Sequence, residues 1–348
     1  MSKDSFKTLK GMKKGFGLAA SEAFKDIIGQ ETVLTELDFY IESYKKSRHI
    51  PHICLIAPKG CGKTTIGKAT ASALRSLNSE KRGLYISCAG YQKATVDQFY
   101  TQVVAQIMDS EATIFFDECH NLSSQIQEEL LGILNPNPNN LNVSTFDSRE
   151  WVFDFRKLSF IFATTEPHMM KEALVDRLSV IQLEEYRPDQ LAEIVKLNLS
   201  GYKLTQQTLN TIASTTRGNA RDVQKVCQKI LIYLDGSGKK TFNLDDWSKL
   251  CKRTNIKPLG LKNAEINILR VLSQVSEMRL TQLSNVTGIN RNALQKDLET
   301  YIAKRNLIQI KPSGRKITED GIKYLDQLEQ MEKPVAKKKA TRKRKAAK

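Results

Sequence analysis

The chain has no apolar run approaching the roughly 18 residues that a membrane-spanning helix needs, so no helical membrane span is expected. Its first residues, MSKDSFKTLKGMKKGFG, carry lysines with no apolar stretch behind them, and no secretory signal is expected either. Cysteine is sparse: six residues, at 54, 61, 88, 119, 227 and 251, form no CxxC pair in a chain too long to need disulfide staples. They read as reduced thiols of a cytoplasmic protein. The 4 histidines do not pair with cysteines at ligand spacing, which argues against a zinc site. No internal repeat is visible, which sets aside solenoid architectures.

What is present is a chain of 348 residues, 40% hydrophobic, long enough for two or three domains with ordinary packed cores. The net charge of +16 is unevenly placed. Residues 333–348 hold nine Lys or Arg and no acid, and residues 1–17 hold five Lys and one Asp, which leaves only +3 for the remainder. A basic excess held in the tails points to a polyanionic partner, most often nucleic acid. The tail at 333–348 also suits a disordered solubilising or localisation segment.

Residues 18–186 alternate helical and strand patterns. A helix over 31–46 precedes HICLIAP at 52–58, a short apolar run entering a Gly-rich turn. A helix over 63–76 follows, then the strands GLYISCA, TIFFDE and LSFIFATT. This alternation predicts an α/β domain with a mostly parallel sheet covered on both faces. Residues 187–255 read as helices only: one opened by Pro188, one carrying Leu209, Ile212 and Ala213 and ended by Gly218, one running from Ala220, and a short last one with Trp247 and Leu250. Residues 256–332 begin with a helix marked by Ile268, Val271, Leu272 and Val275. A helix-turn-helix with Gly288 at its turn and Asn290 as a cap, and a small hairpin, give a winged-helix layout.

Ala57-Pro-Lys-Gly-Cys-Gly-Lys-Thr64 matches a P-loop except that Ala57 stands where the first glycine usually does. Such a loop needs backbone N–H groups curled around a phosphate, hence Gly60 and Gly62. It needs a cation for the β/γ-phosphates, Lys63, and a hydroxyl for magnesium, Thr64. The helix must start there so that its N-terminus faces the anion. Cys61 and Thr65 complete the expected nucleotide contacts. TIFFDE at 113–118 then delivers Asp117 and Glu118 at a strand's C-terminal end, where open α/β sheets bind ligands. Asp117 is expected to hold Mg2+, and Glu118 to polarise the attacking water.

At this point the residues resemble AAA+ ATPases, and within them the RuvB family of Holliday-junction branch-migration motors. The resemblance spans roughly residues 24–328 and implies ATP and Mg2+ as cofactors. FKDIIGQ at 24–30 looks like the segment that lies over the adenine, with Ile27 and Ile28 as contacts. FIFATTEP looks like the sensor 1 strand, with Thr165 as sensor and Thr164 beside it. ALVDRLSVIQLEEY looks like the segment carrying the arginine finger, Arg177, and a nucleotide-contacting tyrosine, Tyr186. RGNARDV looks like sensor 2, Arg221. An arginine finger implies an active site shared between subunits and, by analogy, a hexameric ring; the other reading of Arg177 is a surface ion-pair partner.

Two departures stand out. Ala20-Ser21-Glu22 replaces the family's Arg-Pro-Arg segment. The hairpin expected over 141–155, which in the family docks a RuvA-like junction-binding partner, has the charged tip Asp147-Ser148-Arg149-Glu150. On the winged helix, Leu294, Leu298, Tyr301 and Ile302 form the expected buried stripe and leave Arg291, Asn292, Gln295 and Lys296 exposed. The wing carries Lys311, Arg315 and Lys316. Phosphate contact without sequence reading is expected of it, since phosphate contacts carry no sequence information; winged helices also serve as protein-contact modules. The overall expectation is an ATP-driven DNA translocase. A clamp-loader-like or initiator-like ATPase switch, and a non-enzymatic DNA-binding regulator, are the alternatives.

Overall fold

The computed structural model describes residues 22–332. The basic segments expected at 1–17 and 333–348, and Ala20 and Ser21 of the first departure, lie outside the described residues. The chain divides into two compact units with the boundary between Thr241 and Phe242. That boundary cuts the helical segment expected at 187–255, leaving its last helix in the second unit.

The first unit is built on five parallel strands: β1 (Ile53–Ile56), β2 (Arg82–Ser87), β3 (Ala112–Asp117), β6 (Leu158–Thr164) and β7 (Ser179–Gln182), in the order β2-β3-β6-β1-β7. The four strands expected from the apolar runs are all present. The edge strand β7 was not expected: it is four residues long and only Ile181 is buried, so it offers no run to read. Side chains alternate between the two faces of the sheet. Cys54, Ile114, Phe116, Phe160 and Phe162 pack on one face, and Ile53, Leu55, Phe115, Ile161 and Ala163 on the other. The second face is covered by α1 (Glu31–Ser47) and α2 (Lys63–Leu77). The first is covered by α3, a helical segment over 96–107 with a π-helical middle, and by α4 (Ser124–Ile133). Gly67 lets α2 lie close on the sheet, because a Cβ there would meet the Phe115 ring at 2.6 Å.

Between β3 and β6 stands the expected hairpin, β4 (Leu141–Phe146) and β5 (Arg149–Asp154). Its two-residue turn, Asp147-Ser148, has both φ angles positive, the twist-matched hairpin turn that short polar residues tolerate. Trp151 and Phe153 face the core, while Leu141, Val143 and Val152 are exposed on the outer face, where Val143 and Val152 are opposite partners. After a short α5 (Glu172–Val175) and β7 come three helices: α6 (Pro188–Asn198), α7 (Gln206–Ala213) and α8 (Ala220–Ser237). The α7 helix stops at Ala213, so Gly218, expected to end it, instead lies five residues on, at the turn before α8. Asn219 caps α8 by accepting from Asp222 N at 2.8 Å.

The second unit opens with α9 (Leu244–Thr254) and continues with α10 (Asn263–Ser273) and α11 (Leu280–Thr287). Gly288 turns the chain at φ +69°, and Asn290 caps α12, which spans 291–304 with a π-helical middle. The wing strands β8 (Ile308–Ile310) and β9 (Arg315–Ile317) pair antiparallel, and a bridge from Met278 to Arg315 extends them. A final helix, α13 (Glu319–Glu332), was not anticipated. Leu294, Leu298 and Ile302 are buried and Tyr301 packs beside them, as the spacing predicts. Val275 is corrected: α10 ends before it, and the side chain is 39% exposed.

Candidate nucleotide site and wing

The loop after β1 opens at the point where the strand order reverses, since β6 and β7 flank β1 on either side. Gly60 and Gly62 have φ +86° and +93°, where a side chain is strained. A Cβ on Gly60 would meet Asn219, and one on Gly62 would lie 2.8 Å from the Tyr186 hydroxyl. Ala57 is not among the residues with positive φ, so its Cβ imposes no strain and the departure from the motif is accommodated. The pocket over this loop is lined by Gly60, Gly62, Lys63, Thr64, Thr65 and Glu118 from the sheet side and by Ala220, Arg221 and Gln224 from α8. Cys61 is buried beneath the loop.

Lys63 is buried, with Nζ donating to the carbonyls of Ala57 at 2.8 Å and Pro58 at 3.2 Å. Burial holds its pKa below the usual lysine value; Arg221 lowers it further, and Glu118 and Asp117 pull the other way. Thr64 Oγ1 donates to Asp117 Oδ2 at 2.8 Å. These are hard oxygen donors, and among the described residues no cluster of three His, Cys, Asp or Glu forms a metal cage. One carboxylate and one hydroxyl beside an anion pocket suit Mg2+, a cation that takes few protein ligands and would draw the rest from water and phosphate.

Glu118 sits just past β3 at φ +54°, ψ +50°, a left-handed conformation uncommon for a residue with a side chain. Its Oε2 accepts from the Thr165 hydroxyl at 3.2 Å and lies 3.5 Å from His120 Nδ1. That ring nitrogen is also 3.0 Å from Thr164 Oγ1, while Asn121 Nδ2 lies 3.1 Å from Nε2. An amide donating to Nε2 leaves the proton on Nδ1, pointed at Thr164 and Glu118.

The structure thus gathers Gly60, Gly62, Lys63, Thr64, Thr65, Glu118 and Arg221 around one pocket, with Asp117 and Thr165 bonded to its members. Tyr186 is buried against Gly62, and burial raises its pKa to about 12. Ile27 packs toward the core, and Ile28 lines a separate cleft with Leu197, Leu199 and Leu209. Gly29 lets the segment approach Gln190, and the Gln30 side chain exchanges two hydrogen bonds with the Glu184 backbone, at 2.6 and 3.0 Å. Arg177 does not line the pocket: its guanidinium donates to Ala173 O at 2.8 Å and Asn135 Oδ1 at 3.3 Å. Sequence reasoning missed Tyr85, which bonds Asp117, and the roles of His120, Asn219 and Gln224. Asn219 lies inside the RGNARDV segment, before Arg221, and His120 stands two positions after Glu118, but nothing in spacing marked Tyr85.

At the wing, Lys311 and Lys316 are exposed, whereas Arg315 turns inward. Its guanidinium grips both Glu299 carboxylate oxygens, at 2.8 and 3.0 Å, with the Arg315 side chain 13% and that of Glu299 1% exposed. This differs from the expectation for Arg315, which the fold spends on joining β9 to α12. Arg291, Asn292, Gln295 and Lys296 are exposed on α12, as expected.

Two family models match the chain: the Holliday junction DNA helicase RuvB P-loop domain over residues 20–183, and the RuvB C-terminal winged helix domain over residues 258–326. Among curated proteins, the chain is similar to the Holliday junction branch migration complex subunit RuvB of Ehrlichia ruminantium (strain Gardel), 25% identical over 308 residues, covering 87% of this chain and 90% of that protein. It is also similar to the subunit of that name from a Wolbachia of Brugia malayi, 23% identical over 310 residues, covering 87% and 92%. Among solved structures, the Thermotoga maritima RuvB branch migration motor superposes with a TM-score of 0.68 at 22% identity, over 88% of this chain and 98% of that one. That likeness carries the fold.

Proposed function

The chain belongs to the RuvB family of AAA+ ATPases, and from that premise we propose that it is an ATP-hydrolysing, ring-forming motor that moves DNA strands in Holliday junction branch migration. The observation that carries this reading is the convergence of Lys63, Thr64, Asp117, Glu118 and Arg221 at the switch point of the sheet, in a chain that also holds a winged helix of the RuvB type.

The phosphates of ATP occupy the loop, held by the N–H groups of Gly60, Cys61 and Gly62 and of Thr65 at the start of α2. Lys63 exchanges its two carbonyl acceptors for phosphate oxygens. Thr64 and Asp117 would hold Mg2+, which would supply positive charge beside the β/γ-phosphates. Glu118, steadied by Thr165 and His120, accepts the proton of the attacking water. Arg221 reaches the phosphates from α8, Tyr186 and Ile27 stand on the base side, and Ile28 faces its own cleft beside α6. Arg177 offsets transition-state charge in the pocket of a neighbouring subunit, which makes a closed ring, a hexamer by analogy, the working form. Lys311 and Lys316 meet DNA phosphates without reading sequence. A RuvA-like partner would dock on the outer face of the hairpin, at Leu141, Val143 and Val152. The site of action is the cytoplasm, on DNA.

The alternative, a clamp-loader-like or initiator-like switch, is not favoured, since both matched models are those of RuvB. The deciding experiment is strand movement on a synthetic four-way junction, with ATP and with a junction-binding partner present or absent. Movement that stops in Glu118→Gln supports the proposal. ATP turnover without any strand movement, with and without the partner, overturns the motor reading in favour of the switch.

A further inference from the structure

The acidic strand end has an attendant that no motif in the chain announces. Tyr85 lies on β2, at the edge of the sheet, directly opposite Phe115 of β3, while Ser87 is opposite Asp117. Residues two apart on a strand share a face. Tyr85, Phe115 and Asp117 therefore emerge on the face covered by α2. There the Tyr85 hydroxyl donates to Asp117 Oδ2 at 2.8 Å, the same oxygen that accepts from Thr64 at 2.8 Å. Oδ1 accepts from Glu118 N at 3.1 Å. The phenol ring is itself held: Phe115 packs at 5.6 Å between centroids, and the Lys68 ammonium lies 4.3 Å from its centroid. Lys68 is one helical turn beyond Thr64 on α2, so the groups that flank the carboxylate are tied to one another. One edge of the ring stays open to solvent, with Tyr85 45% exposed.

We propose that Tyr85 is a positioning residue for the carboxylate that holds the divalent cation, fixing the rotamer of Asp117 before the metal arrives, with Lys68 holding the ring in place. The proposal rests on the reading of Thr64 and Asp117 as the Mg2+ site. A carboxylate aimed by two hydroxyls needs no reorganisation when the cation binds, and hydrogen bonds behind metal ligands typically govern affinity by 10–100-fold. A cation over the ring draws electron density from the phenol and strengthens its donation. Tyr85 is thus the element that sets how much free Mg2+ the site requires.

The test measures binding of a fluorescent ATP analogue to the full chain while Mg2+ is titrated, in the parent, Tyr85→Phe, Lys68→Gln and Asp117→Asn. Tyr85→Phe is expected to raise the half-saturating Mg2+ concentration about tenfold. Nucleotide affinity without Mg2+ and the urea midpoint stay as in the parent, and excess Mg2+ restores binding. An unchanged Mg2+ requirement in Tyr85→Phe overturns the proposal. If Tyr85→Phe loses stability, Lys68→Gln carries the test: a smaller shift in the same direction supports it, and no shift overturns it. Asp117→Asn separates the two layers. If that variant responds to Mg2+ like the parent, the metal site itself is misassigned; if it loses the response while Tyr85→Phe keeps it, only the role of Tyr85 fails.

Discussion

Lys63 and Arg315 are both basic residues that the fold takes largely out of water, and they are neutralised in opposite ways. Lys63 has two backbone carbonyls for company, so its charge is solvated but uncompensated by its own hydrogen bonds. Arg315 has a buried carboxylate gripped at both oxygens, so its charge is cancelled inside the fold. The first arrangement holds a cation ready for an anion that comes from outside; the second makes a strut between β9 and α12. A count of basic residues at a loop or a wing tip does not distinguish them, because the distinguishing group is the partner, and the partner is distant in sequence.

Removing each cation tests this contrast. Lys63→Ala is expected to lower ATP turnover by on the order of 10²–10³-fold, as loss of a preorganised transition-state cation does, with little change in the urea midpoint. Steady-state hydrolysis and unfolding on the same preparation check both halves. Arg315→Ala should do the reverse: it strands the Glu299 carboxylate and costs roughly 3–5 kcal/mol of stability in the second unit, leaving ATP turnover without DNA intact. Replacing both partners with Met and Leu should recover most of that loss, and a double variant as unstable as the single one would deny the strut.

A third buried cation sharpens the comparison. Lys81 is fully buried, donates to Lys157 O at 2.6 Å and lies 5.2 Å from the Tyr44 ring centroid. Burial lowers its pKa to about 8. Between that value and the ordinary 10.5, the unfolded chain holds a proton that the folded chain gives up. Stability therefore rises with pH across this window, by at most about 1.4 kcal/mol per pH unit from this group. Lys81→Met should flatten that slope relative to the parent in chemical unfolding at pH 8 to 10. The smallest expected effect belongs to the solvated cations of the wing. Lys311→Ala and Lys316→Ala should each reduce the salt dependence of DNA binding by about one unit of slope, alike for any DNA sequence.

What was legible in the sequence follows the same division. The four strands with apolar runs, the P-loop and the helix-turn-helix could be read because their signals are local: period, glycine spacing, a cap. The strand β7 escaped because one buried residue among four makes no pattern, and the expected end of α7 was too late because Gly218 resembles a helix stop but serves the turn before Asn219. The pocket residues Lys63, Thr64 and Glu118 were found through their motif. Tyr85 was not, since it meets Asp117 only through strand register, 32 positions away. Arg315 was placed on the solvent side because nothing near it in the chain points to Glu299, which looks from its own neighbours like one more exposed helix position.

The backbone at Glu118 carries a consequence of its own. A side chain in the left-handed region costs on the order of 1 kcal/mol that a glycine would not incur. Here the residue beside the expected water is also the one that carries the positive φ just past β3. A glycine at this position would relieve that strain and remove the carboxylate. A carboxylate there means that the chain sits slightly below its attainable stability at the spot where its chemistry is proposed to occur.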